Sequence, residues 1–132
     1  MRDIKDNIDA VIALTPQSFG TTGTGSYVDL SGYDSAMIVI TSGTMGAAGT
    51  GVVPTLVEST DGTTGTTVAA ANLVGSFTAI GTGVATTTQR VGYIGNKRYI
   101  APVFTGLGGT GTVLLPLSAV VVRGHPSRKA LA

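Results

Sequence analysis

The residues best suited to binding another molecule are basic and aromatic ones in the second half of the chain. Arg90, Lys97 and Arg98 lie close in sequence to Tyr93 and Tyr99. Basic side chains neutralise phosphates and aromatic rings stack on bases, so this set could bind single-stranded nucleic acid. The chain has only eight basic residues, which favours ion pairs with acids of the same or an adjacent subunit instead. The two tyrosines could equally pack on each other across neighbouring strands.

The candidate partner-binding residues are the basic side chains of this region and of the C-terminal segment. They are Arg90, Lys97, Arg98, Arg123, His125, Arg128 and Lys129. Their charge favours contact with a protein surface of complementary potential. Nucleic acid is not the expected partner.

The single histidine does not predict a catalytic or metal site. His125 is followed by Pro126, and the nearest acid before it is Asp61. A histidine that transfers protons or binds a metal needs partners that position its ring. The sequence places none nearby, so His125 is expected to be a solvated residue of the C-terminal segment.

The acidic residues also lack the spacing that catalysis or calcium binding requires. Asp29 and Asp34 stand beside turn residues, where aspartate commonly bonds to its own backbone. Asp3, Asp6 and Asp9 lack the alternate spacing, the central glycine and the final glutamate of a calcium loop. We therefore expect no enzyme activity, no cofactor and no metal ion.

Two glycine-rich stretches share features with nucleotide-binding loops. Residues 43–49 are not followed by Gly-Lys-Ser/Thr and a helix, which a phosphate-binding loop needs. Residues 106–109 match part of a dinucleotide fingerprint, but a strand-like run follows them where the fingerprint needs a helix. Both stretches are predicted to be loops.

The composition indicates an all-β protein whose surface is covered by neighbours. Of the 132 residues, 11% are charged, against about 25% in a typical domain, and a poorly charged surface favours association. The 20 glycines and 21 threonines disfavour helix and suit turns and strands. Cysteine is absent. No apolar run is long enough to span a membrane.

The charges are segregated along the chain. Residues 1–61 hold two basic residues and all seven acids, a balance of −5, whereas residues 62–132 hold six basic residues and no acid, a balance of +6. The two halves could interleave in one sandwich and neutralise each other. Alternatively, patches of opposite sign could meet between subunits. Both arrangements can coexist.

Short apolar runs separated by turn residues predict about seven to nine short strands. Such spacing is typical of a jelly-roll-like antiparallel β-sandwich, with another sandwich or a small barrel as the alternative. We divide the chain into an N-terminal strand or extended arm, a β-sandwich domain and a basic C-terminal tail without a core to join. These parts are residues 1–16, 17–122 and 123–132.

Local patterns make sharper predictions. Residues 36–41 are a continuous apolar run, which favours a central strand buried on both faces. Pro54 cannot donate to a ladder, so its strand lies at a sheet edge or is bulged. The Asp-Gly pair at 61–62 predicts a turn, and the Gly-Asn pair at 95–96 predicts a β-hairpin. Residues 63–88 predict one or two short strands.

Four blocks resemble small structural proteins of tailed bacteriophage heads. They are residues 33–40, 56–62, 90–104 and 120–126. The resemblance implies a capsid decoration (cement) protein, a jelly-roll-like subunit that sits on the assembled major capsid shell and clamps neighbouring capsomers. It also implies self-association, as a dimer or trimer, and binding through the termini. It implies no catalytic or cofactor residues.

The sequence is therefore interpreted as a structural virion protein whose partners are the major capsid protein and further copies of itself. The N-terminus lacks the apolar core of a secretion signal. We expect synthesis in the host bacterial cytoplasm and a final place on the capsid surface of the virion. Two alternatives stay open. One is another virion component, such as a head–tail connector, tail or spike protein, and the other is a ligand-binding β-module.

Overall fold

Strands form nearly all of the regular structure. The computed structural model describes residues 3–19, 22–45, 51–81, 86–106 and 115–126. The strands in these ranges are β1 (Ile8–Phe19), β2 (Gly23–Thr24), β3 (Val28–Asp29), β4 (Tyr33–Ser42), β5 (Val52–Ser59), β6 (Thr66–Thr67), β7 (Leu73–Val74), β8 (Thr87–Tyr93), β9 (Tyr99–Gly106) and β10 (Leu115–Pro126). Two short 3-10 helices, Lys5–Asn7 and Ala70–Asn72, accompany them. The all-β prediction is confirmed. None of the described helices is long and apolar enough to cross a membrane.

The strands form two antiparallel sheets. The first sheet has the order β1-β10-β4-β8-β7, and the second has the order β2-β9-β5-β6, with β3 also paired to β9. The first and last strands in the sequence, β1 and β10, pair with each other. The further pairs join strands that lie progressively closer together in the sequence: β2 with β9, β4 with β8 and β5 with β6. The chain is thus a long antiparallel ribbon whose successive pairs alternate between the sheets. This is jelly-roll connectivity, and it confirms the predicted sandwich.

Alternating side chains from both sheets fill the core. Ile38 and Ile40 of β4 point inward from the first sheet, and Leu56 and Phe104 point inward from the second; all four are fully buried. Burying a side chain of this size contributes roughly 1.5–3 kcal/mol. The Phe104 ring also meets the Phe19 ring at a centroid distance of 5.4 Å. That contact joins β1 to the second sheet.

The Gly-Asn pair at 95–96 does not form the predicted hairpin. β8, before it, pairs with β4 in the first sheet, and β9, after it, pairs with β5 in the second. Residues 94–98 therefore cross between the sheets. The hairpin prediction is wrong, and so is the cross-strand packing of Tyr93 on Tyr99. The physical reason is that β8 pairs along its whole length with β4, and β9 along its whole length with β5, so neither strand is left to pair with the other.

The Asp-Gly pair at 61–62 does form the predicted turn, between β5 and β6. The Asp61 carboxylate accepts hydrogen bonds from the backbone N–H groups of Thr63 and Thr64, at 2.9 and 2.8 Å. These bonds hold the pKa of Asp61 well below its usual range. Gly62 has a φ of 76°, a conformation that glycine adopts without strain. Residues 63–88, for which one or two short strands are predicted, contain β6, β7 and the first two residues of β8.

β4 is a central strand, as predicted, but only one of its faces is fully buried. Ile38 and Ile40 are inaccessible to solvent, whereas Met37 and Val39 between and beside them are half-buried. The prediction of burial on both faces is wrong, because the second sheet covers only the inner side of β4. The apolar side chains on the outer side of β4 are therefore not covered by the second sheet.

Neither alternative predicted for the Pro54 strand holds, because β5 lies between β9 and β6 and its register with β9 runs without a shift at Pro54. Pro54 pairs with Phe104 of β9 on one side of β5. On the other side, β6 pairs only with Val57 and Glu58. The missing N–H of proline therefore interrupts no ladder with β6.

The terminal strands extend past the predicted boundaries. β1 runs through Pro16 to Phe19, with two register irregularities against β10, so residues 8–16 belong to a sheet and are not an extended arm. β10 ends at Pro126, so residues 123–126 of the predicted tail are strand. Arg123 can lie in the sheet because Asp9 is directly opposite it on β1. Residues 127–132 are outside the described part of the chain.

Candidate functional site

Three rows of mostly apolar side chains lie side by side on the outer side of the first sheet, and the row beyond them, Ser118, Thr41 and Thr88, is polar. Residues that lie directly opposite each other on neighbouring strands share a face, and the registers therefore define three adjacent rows. The Ile12 row is Ile12, Val120, Val39 and Arg90; the Ala10 row is Ala10, Val122, Met37, Gly92 and Val74; the Ile8 row is Ile8, Gly124 and Ser35. We call these three rows the outer face.

The outer face exposes large apolar side chains. Ile12 is 56% exposed, Val74 58% and Ile8 42%. Arg90, at the β8 end of its row, is the one charged residue of the three rows. An antiparallel sheet with a solvated face normally alternates polar residues outwards. Exposed apolar patches are typical of surfaces that contact another molecule.

A groove of about 380 Å³ lies at one corner of the outer face. Its walls include Met37 and Val122 of the Ala10 row, Ile8, and His125. The small residues Ser35 and Gly124 form part of its lining. The groove is thus a depression in the Ile8 row that continues the outer face.

His125 closes the groove at the end of β10. Its ring nitrogen Nδ1 lies 2.9 Å from the Ser35 hydroxyl oxygen. Its φ is 51°, in the left-handed region that non-glycine residues rarely adopt. A side chain at the preceding Gly124 would press on the same hydroxyl. β10 therefore passes close to β4 here, with His125 held against Ser35.

Arg123 is largely buried within an ion pair. Its guanidinium donates to the Asp9 carboxylate and, at 2.6 Å, to the backbone carbonyl of Asp29. The Tyr33 ring lies 4.4 Å from the guanidinium carbon. Hydrogen bonding from Arg123 lowers the pKa of Asp9, against the opposing effect of desolvation. The side chain of Arg123, 17% exposed, ties the first sheet to β3 of the second.

Arg98 makes a second intramolecular pair. Its Nε and Nη2 atoms donate to the two carboxylate oxygens of Asp29 at 3.0 and 2.7 Å, the bidentate geometry that arginine favours with carboxylates. These bonds lower the pKa of Asp29 and raise that of Arg98. The guanidinium also lies 5.0 Å from the centroid of the Tyr99 ring. Arg98 thus stabilises the start of β9.

These two ion pairs show how part of the charge of the acidic and basic halves of the chain is neutralised. Asp9 and Asp29 come from the acidic half of the chain, and Arg98 and Arg123 come from the basic half. For these four residues the halves neutralise each other within one subunit. Arg98 and Arg123 are therefore engaged with acids of their own chain.

A polar cleft of about 520 Å³ lies at one end of the sandwich. Residues 30–36 form one wall and residues 93–98 the other. Across its floor the Tyr93 hydroxyl donates to the Glu58 carboxylate at 2.6 Å and accepts from the Lys97 backbone N–H at 3.0 Å. Burial and Glu58 raise the pKa of Tyr93 to about 12. Within the described ranges, no group of three or more His, Cys, Asp or Glu residues could hold a metal ion.

Comparison with known proteins gives one similarity to report here. No family model matches the chain, and no curated protein matches it. One similar solved chain belongs to the structure of infectious bursal disease virus, Gx strain, with a TM-score of 0.46 and 16% sequence identity. The match covers 93% of this chain and 32% of the viral chain. A similarity of this size carries no argument about function.

The structure describes five of the seven predicted partner-binding residues and places them in different parts of the molecule. Arg90 is on the outer face, His125 is in the groove, and Lys97 lines the polar cleft. Arg98 and Arg123 meet at Asp29. Arg128 and Lys129 are outside the described residues.

The sequence interpretation missed the outer face. Its signal was present, since residues 36–41 and 117–122 are apolar at nearly every position and do not alternate with polar residues. Such runs indicate burial on both faces. They do not reveal whether the second face of the strand is buried by the same chain or by another one.

Proposed function

We propose that this chain is a structural virion protein, a decoration (cement) subunit that binds the major capsid shell and stabilises it. The observation that supports the proposal is the outer face of the first sheet. Its central rows are apolar and carry one charge, at Arg90, so the surface favours protein cover over solvent. In an assembly, a neighbouring protein would cover this face.

Four of the seven carboxylates of the chain support a structural role. Asp9 and Asp29 are held by arginines, Asp61 holds its own turn, and Glu58 accepts from the Tyr93 hydroxyl. Each of these groups stabilises a turn or joins strands. Catalysis requires instead that titratable groups converge on a place where substrate can sit.

The fold is compatible with the proposal without deciding it. Jelly rolls occur in viral capsid domains, lectins and cupins, and one fold serves many functions. A subunit repeated over a shell needs only modest affinity at each contact, because linked contacts add through effective concentration. A neutral sandwich with an apolar face suits that mode of binding.

One observation favours a second candidate function, a ligand-binding β-module. The polar cleft offers Tyr33, Asn96 and Lys97 as lining residues, and hydroxyl, amide and amine groups can all bond to a sugar. Binding of glycans to the isolated protein, lost on Lys97→Ala and Asn96→Ala substitution, would support this alternative.

The decisive experiment mixes the purified protein with expanded shells of the virus that encodes it. We expect saturable co-sedimentation, with copies spread over the whole shell, and a higher melting temperature of the shells by calorimetry. Copies confined to one vertex in a particle density map would instead identify a connector or tail component. Shells that neither bind the protein nor gain stability would refute the decoration role.

A further inference from the structure

We infer that the outer face packs against the same face of a second copy, giving a face-to-face homodimer with two-fold symmetry. This inference rests on the proposed function and deepens it, because it names the partner that covers the apolar surface. The dimer would be a four-layered unit in which both first sheets are internal. The second sheets and the polar clefts would remain outside.

The extent of the first sheet matches what a stable dimer needs. With strands about 4.8 Å apart and a rise of about 3.4 Å, each residue covers about 16 Å² of the sheet plane. The long strands β1, β4, β8 and β10, about forty residues together, therefore cover roughly 650 Å² before side-chain relief is added. The three rows of the outer face take up a little under half of this sheet. A standard interface buries about 800 Å² on each partner. The three rows can supply the apolar centre of such an interface, and the rest of the sheet can supply its rim.

The chemistry of the face suits a permanent partner better than a transient one. Homodimer interfaces are more apolar than other interfaces, and their centres are depleted of charge. The centre of the outer face consists of Val39, Val120, Val122 and Met37. Arg90 is on β8, whose outer neighbour is the two-residue strand β7. Its guanidinium can therefore stay solvated at the rim while the centre is buried.

The relief of the face is self-complementary. The Ile12 row rises with Ile12, Val120 and Val39, whereas the Ile8 row is depressed at the groove by Ser35 and Gly124. The Ala10 row lies midway between them. A two-fold axis along the Ala10 row, in the plane of the interface, places the Ile12 row of each copy over the groove of the other. Sheets packed face to face interdigitate in this way at about 10 Å separation.

The first test is the oligomeric state of the purified protein by sedimentation velocity and light scattering. Wild type is expected to be a dimer. Val120→Glu would place an unpaired carboxylate in the interface twice, and should weaken dimerisation by roughly 100-fold or more. Val53→Glu is the matched control, because Val53 is a half-buried valine on the outward side of β5, and it should remain dimeric.

A second test does not depend on the folding of Val120→Glu. The chain contains no cysteine, so Ala10→Cys introduces a single thiol at an exposed position on the proposed axis. A short bismaleimide should join Ala10→Cys into covalent dimers. Thr105→Cys, exposed on the second sheet, should stay monomeric under the same conditions.

Several outcomes would overturn the inference. A monomeric or trimeric wild type, a dimer that survives Val120→Glu, or equal cross-linking of the two cysteine variants would each do so. Monomers that bind shells and lose binding on Val120→Glu substitution would show that the shell protein covers the face, leaving the virion role intact. A dimer that ignores shells would remove the decoration role and leave the inference standing.

Discussion

Tyr93 connects the two sheets through its phenol. It belongs to β8 of the first sheet, and its hydroxyl donates to Glu58 of β5 in the second, at 2.6 Å. It also accepts a bond from the Lys97 N–H at 3.0 Å, which fixes the start of the crossing to β9. Gly95 is needed in this crossing, because an added Cβ would collide with the Tyr93 ring. One side chain thus sets the path of residues 94–98.

The raised pKa of Tyr93, about 12, predicts a loss of stability in alkali. An unfolded tyrosine titrates near pH 10, so between about pH 10 and 12 the unfolded state gives up its proton first. The stability that Tyr93 contributes is present below about pH 10 and is lost as pH rises through that window.

Tyrosinate absorbance should show one last phase that Tyr93→Phe removes and Tyr99→Phe keeps. Urea unfolding should show that Tyr93→Phe costs about 1–3 kcal/mol. An unchanged last phase in Tyr93→Phe would contradict the assignment.

The partners of the charged residues were not predictable from the sequence. Arg98 and Asp29 are separated by 69 positions, and Arg123 and Asp9 by 114. The segregation of charge along the chain shows that opposite signs are available to meet. Which acid meets which base depends on the order of strands in the sheets, and that order leaves no local trace at these positions.

β10 decides whether the first sheet can exist. It lies between β1 and β4 and is paired along nearly its whole length on both sides. Its final residues include Arg123, which bonds to Asp9 and to the Asp29 carbonyl. The segment that the sequence presents as a basic tail is therefore part of an internal strand in its first four residues.

Two truncations test this role of β10. A chain ending at Val122 loses the Arg123 bonds and the last pairs of β10, which exposes Asp9 without its partner. A chain ending at Pro126 keeps them. We expect the shorter chain to be destabilised by about 1.5–3 kcal/mol relative to the longer one, the contribution of hydrogen bonds to a charged group, as measured by urea unfolding. Equal stability of the two chains would contradict an internal role for residues 123–126.

The two short turn motifs show which local structures the neighbouring residues can and cannot predict. The Asp-Gly pair at 61–62 forms its turn, because the Asp61 carboxylate bonds to N–H groups within the same loop. The Gly-Asn pair at 95–96 stands between strands of different sheets. Nothing in residues 95–96 distinguishes a hairpin from a crossing, since the outcome depends on β4 and β5 far away in the sequence.

The whole molecule is held together by contacts between distant parts of the chain. β1 pairs with β10 and β2 with β9, so most loops close only when far-separated segments meet. The bias towards threonine and glycine made the fold class predictable. The sequence did not predict the connectivity, because several sandwich topologies are compatible with those short runs. The pairing of β1 with β10 in the structure distinguishes between them.

Slow refolding is the kinetic consequence of this topology. Sheet proteins dominated by non-local pairs fold in about milliseconds to seconds, because loop-closure entropy is lost before the pairs form. Stopped-flow refolding from urea, followed by tyrosine fluorescence, should show a main phase in that range. Deleting residues 3–12, which include the first five of the 12 residues of β1, should prevent cooperative folding. Complete refolding within microseconds would contradict the non-local topology.

The position of β10 also matters during protein synthesis. β1 is translated before its partner β10, which follows about a hundred positions later. Until β10 is made, β1 and β4 lack the strand that lies between them, and the Ile12 row is incomplete. Under the proposed dimer, a translation product that ends before β10 would therefore lack the surface on which copies recognise each other.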